Sequence, residues 1–241
     1  MVTPSDAIVI DREKFVADIR KALTFTEDSG NIVTMGITPV RPETGYGYIH
    51  SPGAGEGRIC KVSGFREKPD LETAGRYLAE GGFFWNAGIF IWNVRTIETQ
   101  MRRFAPQIAS VMDELAPSFY TGDESAELAR LFGRCEKISI DYAVMEKSDD
   151  IYVIADNPGW SDLGSWGAVR EHIGMDAAGN AVVGDDVRLF GCSGCVVQAE
   201  GCGTVVLEGL DGYVVARRGD DLLVCRLSEE QHIKEFSAQK K

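Results

Sequence analysis

The chain of 241 residues has few basic side chains for its acidic ones: 25 lysines and arginines stand against 37 aspartates and glutamates, which gives a net charge of -12. A protein this acidic binds nucleic acid or anionic membranes poorly, because phosphate groups attract basic surfaces. A small phosphorylated ligand is still possible if a divalent cation or a few local lysines and arginines offset the repulsion. The composition therefore predicts no nucleic-acid partner and no membrane partner.

Long apolar runs are also lacking, since no segment approaches the roughly 20 apolar residues of a membrane span. The segment 1–6 has no basic stretch followed by an apolar run, so we expect no signal peptide and a cytoplasmic protein. The six cysteines are then expected to be free thiols. Cys192 and Cys195 have C-x-x-C spacing, with Cys202 nearby, but no fourth zinc ligand is evident. We interpret them as small buried residues in glycine-rich turns.

Two common phosphate-binding sequences are absent from the chain: G-x-x-x-x-G-K-[ST] and a strand-linked G-x-G-x-x-G. Val2 and Thr3 look like the stub of a strand, although a doubly wound domain rarely begins in mid-sheet. If the protein binds a nucleotide, the usual glycine-rich phosphate cradle does not lie in this sequence.

Residues 1–175 alternate between helical and strand-like patterns. Helices are predicted over 12–26, 71–80, 96–104, 108–115 and 124–132, with Ser139 as the N-cap of a further short helix. Strands are predicted over 32–37, 59–65, 83–92 and 151–155. Strands that alternate with helices predict an α/β domain with a largely parallel sheet.

Residues 176–241 have a different pattern, beyond a break near the glycines at 174 and 179. Short strand-like pieces recur about every ten residues, over 181–183, 187–190, 195–198, 204–207, 213–216 and 222–225. Glycines and aspartates separate them, and a short helix follows near 229–236. This pattern predicts a second, all-β domain that forms a coil or a small barrel.

Polar clusters occur at five places that the pattern puts at strand ends or in loops. They are Asp6, segment 41–48 (RPETGYGY), segment 65–70 (FREKPD), segment 85–88 (WNAG) and Asp162. Open α/β sheets bind ligands at the carboxyl ends of their strands. The shared placement favours ligand binding over five unrelated structural roles.

Each cluster contains groups suited to a sugar phosphate. Gly47 lets the backbone approach a ligand closely, with Tyr46 as a wall. Glu67 offers an acceptor for hydroxyl groups, and Lys68 offers a cation for phosphate. The amide of Asn86 both donates and accepts, which suits sugar hydroxyls.

The carboxylates of Asp6 and Asp162 could together hold Mg²⁺, a hard ion that binds one or two carboxylates plus phosphate oxygens. Asp162 lies between the indoles of Trp160 and Trp166, in a loop that leads into a helix-compatible segment. The alternative is that Asp162 caps a turn or a helix while both tryptophans belong to the core.

Structural alternatives stay open for the other clusters as well. Segment 45–47 is also compatible with a hairpin turn. Glu67 and Lys68 are compatible with a solvated ion pair in front of a helix. Asn86 is compatible with a cap on a β-bulge, and Asp6 with an ordinary helix entry.

Five motifs, in this order, resemble those of the mannose-1-phosphate guanylyltransferases, a family of sugar-nucleotide pyrophosphorylases. They are 41–49 (RPETGYGYI), 65–70 (FREKPD), 84–90 (FWNAGIF), 139–147 (SIDYAVMEK) and 159–166 (GWSDLGSW). The resemblance covers nearly the whole chain and implies a Rossmann-like nucleotidyltransferase domain, over 1–175, followed by a small left-handed β-helix, over 176–241. It also implies an in-line reaction of GTP with α-mannose 1-phosphate that gives GDP-mannose and diphosphate with Mg²⁺ as cofactor, and a homodimer as a further partner.

The resemblance implies a role for individual residues. Sugar-phosphate binding falls to Glu43, Tyr46, Gly47, Glu67, Lys68 and Asn86, the metal to Asp6 and Asp162, and catalysis to Lys68 and Asp162. Two departures stand out, because Ala7 replaces the family's usual histidine and the family's glycine-rich opening segment is absent. We therefore expect a guanylyltransferase sequence without its first strands, inactive alone, or else a non-catalytic sugar-nucleotide-binding paralogue or partner subunit.

Overall fold

The computed structural model describes residues 1–201 and 203–238. The α-helices are α1 (Arg12–Thr26), α2 (Leu71–Glu80), α3 (Val94–Phe104), α4 (Pro106–Leu115), α5 (Glu124–Leu131), α6 (Trp166–His172) and α7 (Ile233–Ala238). Short 3-10 helices cover Ala116–Ser118, Phe132–Arg134 and Leu227–His232, and a π-helix covers Asp141–Met145. None of the helices in the described ranges is long and apolar enough to cross a membrane.

The strands are numbered in chain order. They are β1 (Ile8–Val9), β2 (Ile32–Ile37), β3 (Tyr48–His50), β4 (Ile59–Lys61), β5 (Gly64–Arg66), β6 (Phe83–Ile91), β7 (Ile151–Ala155), β8 (Trp160–Ser161), β9 (Ala181–Val183), β10 (Val187–Phe190), β11 (Val196–Gln198), β12 (Val205–Glu208), β13 (Tyr213–Arg218) and β14 (Asp221–Arg226). Contacts divide the chain into two compact units, Met1–Ser5 with Val9–Trp160, and Asp6–Ile8 with Ser161–Lys241. The domain limits at 175 and 176 stay a prediction.

Local side-chain caps set where several helices begin. The carboxylate of Asp11 accepts from Lys14 N at 3.0 Å at the start of α1, and that of Asp70 accepts from Thr73 N at 2.7 Å at the start of α2. Such caps satisfy backbone donors that have no partner inside the helix. α2 ends where Gly81 takes a positive φ of 75°. The predicted bounds of α1 and α2 are therefore confirmed.

The first unit contains a six-stranded sheet in the order β4-β7-β2-β6-β3-β5. The α/β class is confirmed, but the expected largely parallel sheet is wrong. Only β2 and β7 run parallel, whereas the other four neighbouring pairs are antiparallel. Parallel neighbours are usually joined by a crossover helix, and the connection between β3 and β5 contains β4 but no helix, so these two strands pair antiparallel.

The core of this unit is built on β2, all six residues of which are buried. One end of the core joins Ile32, Phe90 and Ile151 to the buried side of the π-helix, Ala143–Met145. The prediction that Ser139 caps this segment is wrong, because Ile140 occupies the cap position and no side chain bonds to the first turn. Ser139 contributes only its carbonyl, which accepts from Ala143 N.

The second unit contains short strands, most of which pair in parallel. β9, β11 and β13 stack side by side, with Val196 facing both Ala181 and Val214, while β10 pairs in parallel with β12. β14 closes the larger sheet in the antiparallel direction. The parallel pairing is compatible with the predicted left-handed β-helix, which stays a prediction.

The two cysteines of the C-x-x-C sequence lie in the core of the second unit. Cys192 and Cys195 are buried free thiols that pack with Val197 and Val215. Across residues 1–201 and 203–238, no three His, Cys, Asp or Glu side chains are grouped so that they could hold a metal ion. Cys202 lies outside the described residues. The interpretation of Cys192 and Cys195 as small buried residues is confirmed.

Candidate functional site

The segment between β2 and β3 is a loop whose form depends on Glu43. This carboxylate is 8% exposed and accepts from Gly45 N at 2.9 Å, while Arg41 Nε lies 3.3 Å from its other oxygen. The strands on either side of the loop do not pair with each other, so the hairpin alternative for 45–47 is wrong. In the structure both carboxylate oxygens of Glu43 contact the loop that carries Tyr46 and Gly47, and its role in binding substrate stays a prediction.

Aromatic side chains surround Tyr46. Its ring lies edge-on to Trp85 and to Trp160, with centroid distances of 5.3 and 5.7 Å. The guanidinium carbon of Arg41 lies 5.3 Å from the centre of the Trp85 ring, within cation–π range. Trp85 Nε1 donates to Tyr48 Oη at 3.0 Å. The ring contacts hold Tyr46 beside Gly47, and its role as the wall of a ligand site stays a prediction.

Glu67 lies against Gly47 at the end of β5. A side chain on residue 47 would collide with Glu67 Oε2, so glycine is what allows this carboxylate to take its place. The Glu67 side chain is only 10% exposed, whereas that of Lys68 is 59% exposed and its Nζ lies 3.5 Å from Glu67 Oε1. The interpretation of both residues as a solvated pair is therefore wrong for Glu67.

The environment of Glu67 changes its acidity. Burial raises the pKa of Glu67, and the nearby negative charges of Asp141 and Glu146 add to this effect, while the Lys68 ammonium opposes it. A carboxylate that is poorly solvated gains most from a ligand that donates hydrogen bonds to it. Lys68 itself has a φ of 42°, an unusual conformation for a residue with a side chain. The ammonium group of Lys68, which pairs with Glu67, therefore stays largely exposed to solvent.

Asn86 lies in β6, where the pairing with β2 shifts register between Thr34 and Gly36. Asn86 Oδ1 accepts from Gly88 N and from Thr34 Oγ1, both at 3.1 Å, so the amide does support the irregular part of the strand. Asn86 Nδ2 donates to Asp141 Oδ1 at 3.1 Å. The Asn86 oxygen therefore caps the bulge, as the structural alternative predicted. One N–H of Asn86 Nδ2 donates to Asp141, and the second N–H is left for another acceptor.

Two further carboxylates, which the residue-by-residue prediction did not select, join this cluster. Asp141 contacts Asn86, and Glu146 Oε1 accepts from the backbone N of Glu67 at 2.9 Å. Both belong to the SIDYAVMEK motif that supported the resemblance. The signal that could have identified them is the presence of two acidic residues on either side of the apolar residues of that motif.

Comparisons with known proteins point in one direction. A family model described as nucleotidyl transferase matches residues 1–177. The xanthan biosynthesis protein XanB of Xanthomonas campestris pv. campestris (strain B100) is 38% identical over 243 residues, which cover 99% of this chain and 50% of the relative. The mannose-1-phosphate guanylyltransferase of Escherichia coli (strain K12) is 34% identical over 249 residues, with the same coverage. A solved structure described as mannose-1-phosphate geranyltransferase from Thermus thermophilus has a TM-score of 0.82 and 33% identity, covering 99% of this chain and 68% of that one.

The chain belongs to the nucleotidyl transferase family. The resemblance to mannose-1-phosphate guanylyltransferases, predicted from five ordered motifs, is confirmed by these relatives. The chain spans about half the length of the curated relatives it matches. The Rossmann-like class of the first unit is likewise confirmed, because the matching structure and family model both cover it.

Nucleotidyl transferases generally use divalent metal ions, and two residues of the second unit have suitable donors. Asp6 is exposed, and Asp162 is half-buried with its Oδ1 accepting from Gly164 N at 2.9 Å. A Cβ atom on residue 164 would lie 2.6 Å from Asp162 Oδ2, so glycine leaves room for this carboxylate. One oxygen of Asp162 therefore caps a turn, as the structural alternative predicted. The N-cap of the following helix is Ser165 and not Asp162. Carboxylate oxygens are hard donors of the kind that Mg²⁺ binds together with phosphate oxygens, and the metal role of Asp6 and Asp162 stays a prediction.

Proposed function

We propose that this nucleotidyl transferase acts as a mannose-1-phosphate guanylyltransferase, which converts GTP and α-D-mannose 1-phosphate into GDP-mannose and diphosphate. The observation that carries the proposal is the buried Glu67 carboxylate over Gly47, with the Asn86 amide and the Lys68 ammonium in the same cluster. This set combines acceptors and donors for hydroxyl groups with a cation for a phosphate, which is the chemistry of a sugar phosphate.

Each residue is assigned a part in binding. Glu67 accepts hydrogen bonds from sugar hydroxyls, and Asn86 donates its second N–H to another hydroxyl. Tyr46 packs against the apolar face of the sugar ring. Lys68, exposed beside Glu67, pairs with the phosphate of the sugar phosphate.

The reaction needs no covalent enzyme intermediate. A phosphate oxygen of mannose 1-phosphate attacks the α-phosphorus of GTP in line, and the bond from that phosphorus to the bridging oxygen breaks as diphosphate leaves. The protein contributes by holding the attacking phosphate and by offsetting negative charge, a task assigned to Lys68. Asp6 and Asp162 would hold the divalent ion, which supplies further positive charge to the phosphates when bound.

Calorimetric titration of the whole chain with mannose 1-phosphate tests the proposal. We expect saturable binding that Glu67→Ala and Lys68→Ala each weaken by about tenfold, because each removes a charged partner of the ligand. Glu72→Ala, which removes an exposed carboxylate from the first turn of α2, is the matched control and should bind normally. Absence of saturable binding by the unaltered chain would overturn the assignment.

A second candidate function is binding without catalysis, which the cluster of Glu67, Lys68 and Asn86 also supports. In this version the chain binds GDP-mannose, alone or as part of a larger assembly, without turning over substrate. An assay with GTP, mannose 1-phosphate and Mg²⁺ separates the two functions. Steady formation of GDP-mannose supports the guanylyltransferase, whereas binding of GDP-mannose without product supports the non-catalytic protein.

A further inference from the structure

The amide of Asn86 is held at both ends by groups that can play only one hydrogen-bonding role. Gly88 N–H can only donate, and it contacts Asn86 Oδ1 at 3.1 Å. The carboxylate of Asp141 can only accept, and its Oδ1 contacts Asn86 Nδ2 at 3.1 Å. Thr34 Oγ1 occupies the second acceptor position of Oδ1, also at 3.1 Å. Asn86 can therefore offer a ligand one N–H donor and no acceptor.

Asp141 owes its position to an unusual turn. It is the first residue of the π-helix Asp141–Met145, and its carbonyl accepts from Glu146 N at 2.9 Å. This i→i+5 bond brings residues five apart onto the same side, whereas about 3.6 residues per turn would place them roughly 140° apart in an α-helix. As a result, Asp141 reaches Asn86 while Glu146 reaches the backbone N–H of Glu67.

The turn is anchored in the core and does not depend on solvent-exposed contacts. Ala143, Val144 and Met145 are 3%, 0% and 1% exposed and pack with Phe90, which lies four residues after Asn86 in β6. The Asp141 carboxylate and the Asn86 amide are thus carried by two elements that share one apolar cluster. A hydrogen bond between such elements has little freedom to change direction.

We propose that Asp141 is a positioning residue for the sugar phosphate: it holds the Asn86 amide so that the remaining N–H of Nδ2 points at a sugar hydroxyl. The inference rests on the proposed function, because it takes mannose 1-phosphate as the ligand. Asp141 acts through Asn86 and not by touching the sugar. Its charge adjoins that of Glu67, so a neutral side chain that keeps the hydrogen bond should preserve binding.

A double-mutant cycle on the affinity for mannose 1-phosphate, measured by calorimetry on the full chain, tests this role. We expect Asp141→Ala to weaken binding about tenfold in the unaltered protein but less than about twofold when Asn86→Ala is already present. Asp141→Asn, which can turn its amide oxygen toward Asn86 Nδ2, should stay within about threefold of the unaltered chain. Asp149→Ala removes an exposed carboxylate eight residues further on and serves as the matched control.

Other outcomes distinguish the inference from the function beneath it. If Asp141→Ala weakens binding equally with and without Asn86, the carboxylate touches the sugar directly and the positioning role is wrong. If Asp141→Ala binds normally, the role is wrong as well. If the unaltered chain binds no mannose 1-phosphate, the proposed function is wrong, and so is the role of Asp141 that rests on it. Asp141→Ser replaces Asp141→Ala in the cycle should circular dichroism show that the alanine variant does not fold.

Discussion

Gly47 and Glu67 form a matched pair, because the carboxylate of Glu67 occupies the space that a side chain on residue 47 would need. Gly47 has no positive φ, so it is required here for space and not for backbone conformation. The colliding atom is the far end of the Glu67 side chain, which can rotate away. A larger residue at position 47 therefore threatens the placement of Glu67 more than it threatens the fold.

The first prediction concerns Gly47→Ala. We expect the affinity for mannose 1-phosphate to fall by about tenfold, since the Glu67 carboxylate must move, while the free energy of unfolding changes by less than about 1 kcal/mol. Calorimetric binding and urea unfolding measure the two quantities. Gly75→Ala is the control, because nothing lies within 4 Å of a Cβ atom at this position in α2. Normal binding by Gly47→Ala would contradict the role of the pair.

The second prediction concerns a glycine that is needed for packing. A Cβ atom on Gly36, in the buried strand β2, would lie 2.6 Å from Val153 Cγ2 and 2.9 Å from Phe84 Cβ. We expect Gly36→Ala to lower the free energy of unfolding by about 1–3 kcal/mol, because the core has no room for an added methyl group. Gly30→Ala, with nothing within 4 Å, should leave stability unchanged or raise it by about 0.5 kcal/mol. Equal melting curves for both variants would refute this account.

The third prediction concerns a buried pair of carboxyl groups. Asp18 and Asp156 are 1% and 5% exposed, and Lys21 and Lys14 reach them with N–O distances of 3.1 and 2.5 Å. Burial, together with the hydrogen bond to Asp156, raises the pKa of Asp18. Burial acts on Asp156 in the same sense, but the hydrogen bonds from Lys14 and Asp18 outweigh it and lower the pKa of Asp156. Of the two carboxyl groups, Asp18 is therefore the one that keeps its proton to the higher pH.

The free energy of unfolding should therefore depend on the protonation of Asp18. Between the ordinary pKa of an aspartate and the raised pKa of Asp18, the folded chain binds more protons than the unfolded chain, so the free energy of unfolding falls as pH rises. Asp18→Asn supplies a permanent donor to Asp156 and should remove this fall, leaving the variant at least as stable as the parent at about pH 7. Urea unfolding from about pH 4 to pH 8 measures the slope. If the slope of the free energy of unfolding against pH is unchanged in Asp18→Asn, a group other than Asp18 causes it.

The fourth prediction concerns Asn180, which is 2% exposed in the second unit. Its Nδ2 donates to Cys192 O and its Oδ1 accepts from Cys195 N, both at 3.0 Å, so one amide satisfies two buried backbone groups of a turn. We expect Asn180→Leu to destabilise this unit by about 3 kcal/mol, because both groups lose their partner without access to water. Scanning calorimetry should show a lower melting temperature. Retention of the original transition would mean that the turn has other partners.

The bounds of α1, α2 and β2 could be predicted to the residue from the chain alone. Asp11 and Asp70 supply helix caps within three residues of their partners, and Gly81 stops α2 locally. Periodicity and capping act over one or two turns, so such elements can be identified before any tertiary contact is known. The order of the motifs likewise predicted the family, because each motif is a contiguous segment.

The arrangement of the candidate site was decided only by the tertiary structure. The sequence singled out Gly47, Glu67 and Asn86, but not that Glu67 is buried against Gly47 or that Asp141 holds Asn86. Those relationships join residues 20 and 55 positions apart. They depend on the antiparallel pairing of β3 with β5 and β6, and on the π-helix Asp141–Met145, which packs in the core. Local pattern determined the elements and the residue types of this protein, whereas long-range packing decided which side chains meet, because burial and hydrogen-bond geometry exist only once distant segments come together.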